Sequence, residues 1–139
     1  MFSKSCEYAL RAVIFIAEQS KQNNKVGVKE ISNATNSPEH FTGKILQKLA
    51  KQEIITSIKG PYGGFVLTEN DAKQISVSQI IQIIDGDEVY NACGLGLSSC
   101  NPDNPCPLHN KFASVRKDLK EIVENTSIYD LIQKNNINT

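Results

Sequence analysis

Three of the chain's four cysteines and one of its two histidines lie in one short stretch. Cys93, Cys100, Cys106 and His109 are separated in turn by six, five and two residues. Glycine and proline interrupt the whole stretch, which predicts a loop. An irregular backbone can direct several sulfur atoms to one point, and thiolate and imidazole groups bind zinc, copper and iron–sulfur centres. The stretch is therefore predicted to bind a metal.

The spacing of the cysteines favours an iron–sulfur cluster over a zinc ion. A structural zinc site usually contains a closely spaced pair of cysteines, and this loop has no such pair. A cluster is a larger inorganic body, so its ligands can lie farther apart along the chain. The alternative without a metal is a loop that carries three free thiols or a disulfide.

The charge of the chain is distributed unevenly. Residues 1–67 hold nine Lys or Arg and five Asp or Glu, whereas residues 68–139 hold six and ten, although the net charge is zero. An excess of positive charge in the first half predicts that this half contacts a polyanion. No apolar run reaches membrane length, and the first residues lack a signal-peptide pattern. A cytoplasmic location is expected, where thiols stay reduced.

Three helices are predicted in the first half. Apolar residues recur at helical spacing over residues 4–20, and two further helices, 28–35 and 38–52, are separated by a tight turn. Ser37 as the cap and Pro38 at the first helical position are predicted to begin the third helix. Its core-facing side chains are predicted to be Phe41, Ile45, Leu46 and Leu49. Cys6 in the first helix is interpreted as a small buried apolar residue rather than a ligand.

A β-hairpin is predicted directly after these helices. Residues 54–58 and 65–68 have the composition of strands, and the glycines and proline of residues 59–64 form the turn between them. Helix, turn, helix and hairpin in this order predict a winged helix-turn-helix, with the third helix in the DNA major groove. Lysine and glutamine suit base edges, and other lysines suit phosphates. The candidate DNA contacts are His40, Thr42, Gly43, Lys44, Gln47, Lys48, Lys51, Lys59, Gly60 and Tyr62.

The second half is predicted to be helical on either side of the cysteine loop. An apolar helix over 75–84 is expected to begin at Ser76 or Ser78 and to end at Asp85-Gly86. Residues 110–125 form an amphipathic helix that could pack within the chain or against a second copy. A short helix follows at 127–132. The apolar residues of the 110–125 helix are Phe112, Val115, Leu119 and Ile122.

The predicted fold is mainly α, with a small β-hairpin wing. Three segments are expected: a winged helix-turn-helix DNA-binding domain at 1–85, a cysteine-rich cluster-binding loop at 86–109, and a dimerisation helix with a short last helix at 110–139. No catalytic constellation and no phosphate-binding loop with the right flanking elements is found. The chain is therefore predicted not to be an enzyme.

Four sequence segments carry a family resemblance. They are Tyr8-Ala-Leu-Arg-Ala12, Lys44-Ile-Leu-Gln-Lys-Leu49, Ser57-Ile-Lys-Gly-Pro-Tyr-Gly-Gly-Phe65, and the set of Cys93, Cys100, Cys106 and His109. With them the chain resembles the IscR/NsrR family of winged-helix transcription regulators, which also includes CymR. The resemblance covers nearly the whole chain. It implies a homodimer joined through a long helix and bound to a double-stranded DNA operator.

The same resemblance implies a 2Fe-2S or 4Fe-4S cluster and two candidates for its fourth ligand. His109 matches the histidine ligand of IscR-type members. Glu7 matches a carboxylate that NsrR-like members receive from the partner subunit. The gap between Cys93 and Cys100 is one residue longer than in IscR-type members, and this leaves the cluster type open. Lys59 stands where the family usually has arginine, and Gly43 where it has a side chain, so no operator sequence is inferred.

The expected function is that of a homodimeric DNA-binding regulator, expected to be a repressor. It would sense redox state, nitric oxide or cluster supply through the cluster. One alternative keeps the fold but makes the cysteines a thiol/disulfide or zinc sensor without a cluster. Another alternative, from a different class of protein, is an iron–sulfur carrier or electron-transfer protein. No contact with a membrane is expected.

Overall fold

Helix α1 (Lys4–Lys21) lies at the centre of the computed structural model, which describes residues 2–134. Ser3 caps the helix, because its hydroxyl accepts a hydrogen bond from the Cys6 amide at 3.0 Å. The predicted helix over 4–20 is confirmed, and Cys6 is fully buried as expected. The helix packs against α2, α3, α4, α5, α8 and the second strand, all defined below. Its buried side chains are Cys6, Ala9, Ala12, Val13, Ile14, Ile16 and Ala17.

The helix-turn-helix consists of α2 (Val28–Thr35) and α3 (Glu39–Lys51). Asn36 ends α2 in the left-handed conformation, with a φ of 51°, which asparagine tolerates better than most residues. The start of α3 differs from the prediction by one position, because Pro38 and not Ser37 is the N-cap residue. The Ser37 hydroxyl lies instead 2.6 Å from the Thr42 hydroxyl.

The buried face of α3 also differs at one position from the predicted stripe. Ile45, Leu46 and Leu49 are buried as predicted, but Phe41 is 37% exposed and Thr42 is buried in its place. Thr42 can be buried because its hydroxyl donates to the Pro38 carbonyl at 2.8 Å. The Phe41 ring packs edge-on against the ring of Tyr8 on α1, with centroids 5.8 Å apart.

The predicted hairpin is present but shorter than expected. Strand β1 (Thr56–Ile58) pairs antiparallel with β2 (Gly64–Val66). Ile54 and Ile55 are buried in the core before β1 begins, so they serve packing rather than strand pairing. Val26 adds a short third segment to the hairpin: the Phe65 amide donates to the Val26 carbonyl at 2.7 Å, and the Val26 amide donates to Phe65 at 3.3 Å.

Five helices follow the hairpin: α4 (Glu69–Gln74), α5 (Val77–Asp85), α6 (Glu88–Asn91), α7 (His109–Glu124) and α8 (Ile128–Lys134). Helices α5, α7 and α8 confirm the predictions, with Ser76 capping α5 and the Ser127 hydroxyl accepting from the Asp130 amide in α8. Helices α4 and α6 were not predicted. They have six and four residues, too few for a helical apolar period to show in the sequence.

The last helix packs back onto the first half of the chain. Helix α8 contacts α1 and α4, and the Ile128 amide donates to the Ile75 carbonyl at 2.9 Å. One core therefore includes residues from both ends of the described chain. The division of the chain into three segments, with boundaries after residues 85 and 109, stays a prediction. Residues 135–139, at the end of the third segment, lie outside the described residues. Within residues 2–134, no helix combines the length and the apolar character needed to span a lipid bilayer.

Candidate metal centre and nucleic-acid interface

The loop between α6 and α7 brings three thiols together. The Sγ atoms of Cys93, Cys100 and Cys106 all lie within 4.8 Å of one another. The Cys93 and Cys106 sulfurs are 3.5 Å apart, and no disulfide joins any of the three. Residues that are far apart in the loop thus converge on one point. We call these three side chains the thiol group.

Contacts with α7 hold the loop in place. Gly94 packs under the ring of Phe112, and a Cβ atom at this position would overlap the ring carbons. The Arg116 guanidinium donates to the carbonyl of Ala92, at the start of the loop. Farther along, the Asn101 side chain accepts hydrogen bonds from two backbone amides and closes a turn. The shape of the loop therefore depends on α7.

Backbone amides favour the thiolate form of one member of the thiol group. The Leu97 amide, together with that of Leu95 (3.4 Å from the sulfur), lowers the pKa of Cys93 to about 7. The Cys106 amide acts in the same direction on Cys100, but desolvation and the neighbouring thiols outweigh it and raise the Cys100 pKa. Thiolate is the form that binds metals, so one sulfur is already partly ionised near neutral pH.

The two candidates for a fourth ligand occupy different places. His109 is the first residue of α7, and its Nδ1 lies 3.6 Å from the Cys100 sulfur, although it is not within 4.8 Å of all three thiols. Glu7 lies on α1, half buried, 3.7 Å from the ammonium of Lys4, and is not part of the thiol group. The role of Glu7 as a ligand donated by a second copy of the chain stays a prediction.

The donor set fits a metal centre. Three thiolates with a histidine are the ligands of one common type of structural zinc site, and iron–sulfur clusters also accept histidine beside cysteine. Tetrahedral ligands at the usual zinc–sulfur length lie about 3.8 Å apart, so the thiol group has the dimensions of a single-ion site. The loop contains turns and one isolated bridge but no helix or strand, so no helix or strand would have to break for it to hold a larger cluster.

The fourth cysteine is not part of this site. Cys6 is fully buried in α1, and burial, assisted by the nearby carboxylates of Asp85 and Glu7, raises its pKa to about 12. The thiol therefore stays protonated at neutral pH and does not act as a ligand. This agrees with its interpretation as a buried apolar residue.

The outer face of α3 carries five of the predicted DNA contacts. His40, Lys44, Gln47, Lys48 and Lys51 are all exposed. Their positions agree with a helix that presents one polar, basic face to solvent.

Two other predicted contacts on α3 point inward. Thr42 is 1% exposed and hydrogen-bonded inside the turn, so its hydroxyl does not face solvent, and its role as a DNA contact stays a prediction. Gly43 is half buried, and a Cβ atom there would lie 3.7 Å from a methyl group of Val28 on α2. Position 43 therefore faces the crossing of α2 and α3, and its role as a DNA contact stays a prediction.

The tip of the hairpin carries the remaining predicted contacts. Lys59, Gly60 and Tyr62 are exposed, and Tyr62 is 87% exposed. Gly60 has a φ of +103°, a backbone conformation that glycine adopts without strain. Lys25, in the α1–α2 connection, donates to the Tyr62 carbonyl at 3.4 Å. The tip of the hairpin thus exposes an aromatic ring and a lysine, and the hydrogen bond from Lys25 attaches it to the α1–α2 connection.

A comparison with protein families identifies the chain. The profile of the Rrf2 family, described as iron-dependent transcriptional regulators, matches residues 2–134. The chain belongs to the Rrf2 family. The resemblance noted in the sequence is thereby confirmed, as are the regulatory class and the prediction that the chain is not an enzyme. An electron-transfer protein is not the class that the family indicates.

Curated relatives of this Rrf2 protein are described as HTH-type transcriptional regulators. An HTH-type transcriptional regulator of Aquifex aeolicus is 32% identical over 134 residues, which are 95% of this chain and 91% of that protein. The HTH-type transcriptional regulator IscR of Yersinia pseudotuberculosis is 25% identical over 130 residues, which are 94% of this chain and 77% of that protein. The similarity therefore extends across the helix-turn-helix and the cysteine loop.

Two solved structures share the fold of this Rrf2 protein. The global cysteine regulator CymR of B. subtilis has a TM-score of 0.76 and 22% identity, and the match covers 98% of each chain. The IscR of T. potens has a TM-score of 0.72 and 19% identity, covering 96% of this chain and 86% of that one. These likenesses confirm the predicted winged-helix fold.

Sequence patterns did not reveal the residues that shape the two sites. Phe112 was assigned to an apolar seam, but it also covers Gly94 in the loop. Arg116 gave no signal, because a single arginine on an exposed helix face is common. Ser37 was interpreted only as the cap of α3, and its contacts with the hydroxyls of Thr35 and Thr42 were not predicted. The one signal in the sequence was that both threonines lie close to Ser37 along the chain.

Proposed function

We propose that this Rrf2 regulator is a homodimeric repressor whose loop 93–109 binds an iron–sulfur cluster and whose DNA affinity depends on that cluster. The observation that carries the proposal is the convergence of Cys93, Cys100 and Cys106 within 4.8 Å, with His109 beside Cys100. The description of the family as iron-dependent regulators and the IscR relatives support the same chemistry. When bound, the cluster would supply a group that reacts with oxidants or nitric oxide.

A second copy of the chain is the proposed partner of α7. Val115 and Ile122, two turns apart on this helix, are 52% and 62% exposed, whereas Phe112 and Leu119 are partly buried within the chain. Apolar side chains seven residues apart on one helix form the seam that two antiparallel or parallel helices bury together. Joining two copies through α7 would place two recognition helices in successive turns of one DNA groove.

The DNA contact is proposed to follow the exposed face of α3 and the wing. Lys44 and Gln47 suit guanine and adenine edges respectively. Lys48 and Lys51 are proposed to contact phosphates, which positions the helix and makes binding sensitive to salt. Lys59 is proposed to meet a phosphate or the minor groove at the wing.

Helix α7 is proposed to connect the loop with the dimer. Phe112 covers Gly94 and Arg116 holds the Ala92 carbonyl, so any change in the shape of the loop acts on the first half of α7. The exposed seam residue Val115 lies between these two anchors. A shift there would change the spacing of the two recognition helices and hence the fit to one operator.

The test is to purify the protein without oxygen and to measure its visible absorption together with its iron, sulfide and zinc content. A coloured protein with equal iron and sulfide is expected. The triple variant Cys93→Ala, Cys100→Ala, Cys106→Ala should lose the colour and change in affinity for its DNA. The matched control is Cys6→Ala, which should keep both. Unchanged DNA affinity in the colourless variant would refute the coupling of the cluster to DNA binding.

A zinc or thiol/disulfide sensor is the second candidate. The specific observation in its favour is the compactness of the thiol group, with the Cys93 and Cys106 sulfurs only 3.5 Å apart. A colourless protein that contains one zinc ion per chain, or no metal and a disulfide after oxidation, would establish this second function. The assignment to DNA regulation would then stand without the cluster.

A further inference from the structure

Three hydroxyl groups form a continuous chain across the turn between α2 and α3. The Ser37 oxygen, in the turn itself, lies 2.9 Å from that of Thr35 and 2.6 Å from that of Thr42. Thr35 is the last residue of α2, and Thr42 lies in the first turn of α3. The Ser37 hydroxyl therefore lies within hydrogen-bond distance of both helices of the helix-turn-helix.

Both ends of this chain are anchored to the backbone. The Thr35 hydroxyl donates to the Ile31 carbonyl at 2.7 Å, and the Thr42 hydroxyl donates to the Pro38 carbonyl at 2.8 Å. Both threonines are 1% exposed, so water cannot replace these partners. A buried hydroxyl that loses its partner keeps the full cost of its desolvation.

A count of protons singles out Ser37. A hydroxyl group carries one proton and can accept two hydrogen bonds. Since both threonine protons go to backbone carbonyls, only the Ser37 proton remains for its two contacts with Thr35 and Thr42. Ser37 can therefore donate to one threonine at a time. When it donates to Thr42, its link to α2 is its own backbone amide, which donates to the Ser32 carbonyl at 3.0 Å. Removal of the Ser37 oxygen therefore removes the side-chain bond between the turn and α3.

The position of Thr42 on α3 relates its contact with Ser37 to the way in which α3 would face DNA. Thr42 faces the core, while His40 and Lys44, two residues away on either side, are exposed. Residues two apart on a helix lie on nearly opposite sides. A bond at Thr42 therefore restrains the rotation of α3 about its own axis, which decides where the exposed side chains point.

We propose that Ser37 is a positioning residue for DNA recognition, which acts through Thr42 to fix the orientation of α3. The inference rests on the proposed contact of α3 with DNA. It assigns no DNA contact to Ser37 itself. Its effect should appear in the reading of bases, which needs correct orientation, and not in contacts with phosphates, which tolerate small rotations.

The test compares two duplexes: one that the wild-type protein selects from a random pool, and a shuffled duplex of the same composition. Ser37→Ala should weaken binding to the selected duplex by up to about fivefold, because the free energy of one hydrogen bond sets the upper limit on the cost of reorienting α3. Binding to the shuffled duplex should not change. Ser37→Thr keeps the hydroxyl and should restore the ratio of the two affinities. Thr42→Val, which keeps the volume but not the hydroxyl, should behave as Ser37→Ala does.

The control is Ser32→Ala on α2. Its hydroxyl is also largely buried and donates to the Lys29 carbonyl at 3.0 Å, but it makes no bond across the turn. Thermal unfolding should show a loss of stability in this variant without a change in the affinity ratio. An unchanged ratio in both Ser37→Ala and Thr42→Val, or an equal loss on both duplexes, would overturn the inference. Failure of the wild-type protein to select any duplex would instead overturn the proposed function on which it rests.

Discussion

At the scale of single residues, the same side-chain type serves opposite purposes in this chain. Cys6 is sealed in the core with a pKa of about 12, whereas Cys93 lies on a loop with a pKa of about 7. Burial causes the first shift and backbone amides cause the second. The environment, and not the residue, therefore decides which thiols are available for chemistry.

The native, metal-free protein should react with three equivalents of a thiol reagent, and with a fourth only in denaturant. The reason is that Cys6 is both inaccessible and protonated, while Cys93, Cys100 and Cys106 are partly exposed. Titration with a chromogenic disulfide reagent at neutral pH measures this directly. The Cys6→Ala variant should react with three equivalents of the reagent, both in the native state and in denaturant. Four fast equivalents in the native wild-type protein would contradict the burial of Cys6.

The sequence predicted the convergence of the cysteines better than the orientation of the side chains on α3. Cys93, Cys100 and Cys106 were found from residue type and spacing alone. Thr42 was misplaced, because a polar residue on a predicted outer face usually faces water. Its burial depends on Ser37 and Thr35, which lie across a turn whose geometry no periodicity describes.

At the scale of elements, long amphipathic helices with caps were predictable and short connections were not. The limits of α2 agree with the prediction, and α1, α5, α7 and α8 differ by few residues. Ile54 and Ile55 have the composition of a strand, yet they are buried in the core before β1 begins, since burial of β-branched residues does not require a strand. The loop could be predicted as a loop, but its shape depends on tertiary contacts with α7.

The contact of Gly94 with Phe112 leads to a prediction for metal binding. Gly94→Ala should lower the metal content of the purified protein, because the added methyl group overlaps the ring and displaces the loop. Phe112→Ala in the same chain makes room for the methyl group and should restore part of the metal content. Metal analysis of the two single variants and the double variant measures the coupling. Full metal content in Gly94→Ala would mean that the loop does not need this contact.

The exposed seam of α7 leads to a prediction for assembly. Ile122→Asp or Val115→Asp should convert the proposed dimer to a monomer, because a carboxylate cannot be buried in an apolar seam without a large cost. The fold should persist, since both positions are exposed within the chain. Sedimentation measures the mass, and circular dichroism measures the fold. Lys117→Asp, at an exposed position off this seam, is the matched control. A dimer that survives Ile122→Asp would place the interface elsewhere.

At the scale of the whole molecule, the excess of positive charge lies in the half of the sequence that is proposed to bind DNA. The basic residues of the first half include the exposed lysines of α3 and the wing, and the acidic excess lies in the second half. The elements proposed to contact DNA therefore carry positive charge that attracts a duplex, which helps to orient the encounter.

This arrangement predicts a local salt effect. Lys48→Ala, Lys51→Ala and Lys59→Ala should each reduce the slope of log affinity against log salt by about 1, as expected for one lost phosphate contact. The losses should be similar on selected and shuffled duplexes. Lys117→Ala, which removes the same charge from the acidic half, should leave the slope unchanged. An equal effect of Lys117→Ala would show that net charge, and not these contacts, sets the affinity.

The attachment of the wing also bears on the thermodynamics of binding. Val26 pairs with Phe65, the Ser20 hydroxyl accepts from the Leu67 amide at 2.9 Å, and Lys25 holds the Tyr62 carbonyl. A hairpin fixed in this way is preorganised and loses little conformational entropy when it meets DNA. The entropy gained by the release of counterions from the duplex would then be reduced only slightly by a loss of conformational entropy in the wing. Complex formation should therefore have a favourable entropy at room temperature, which calorimetry measures.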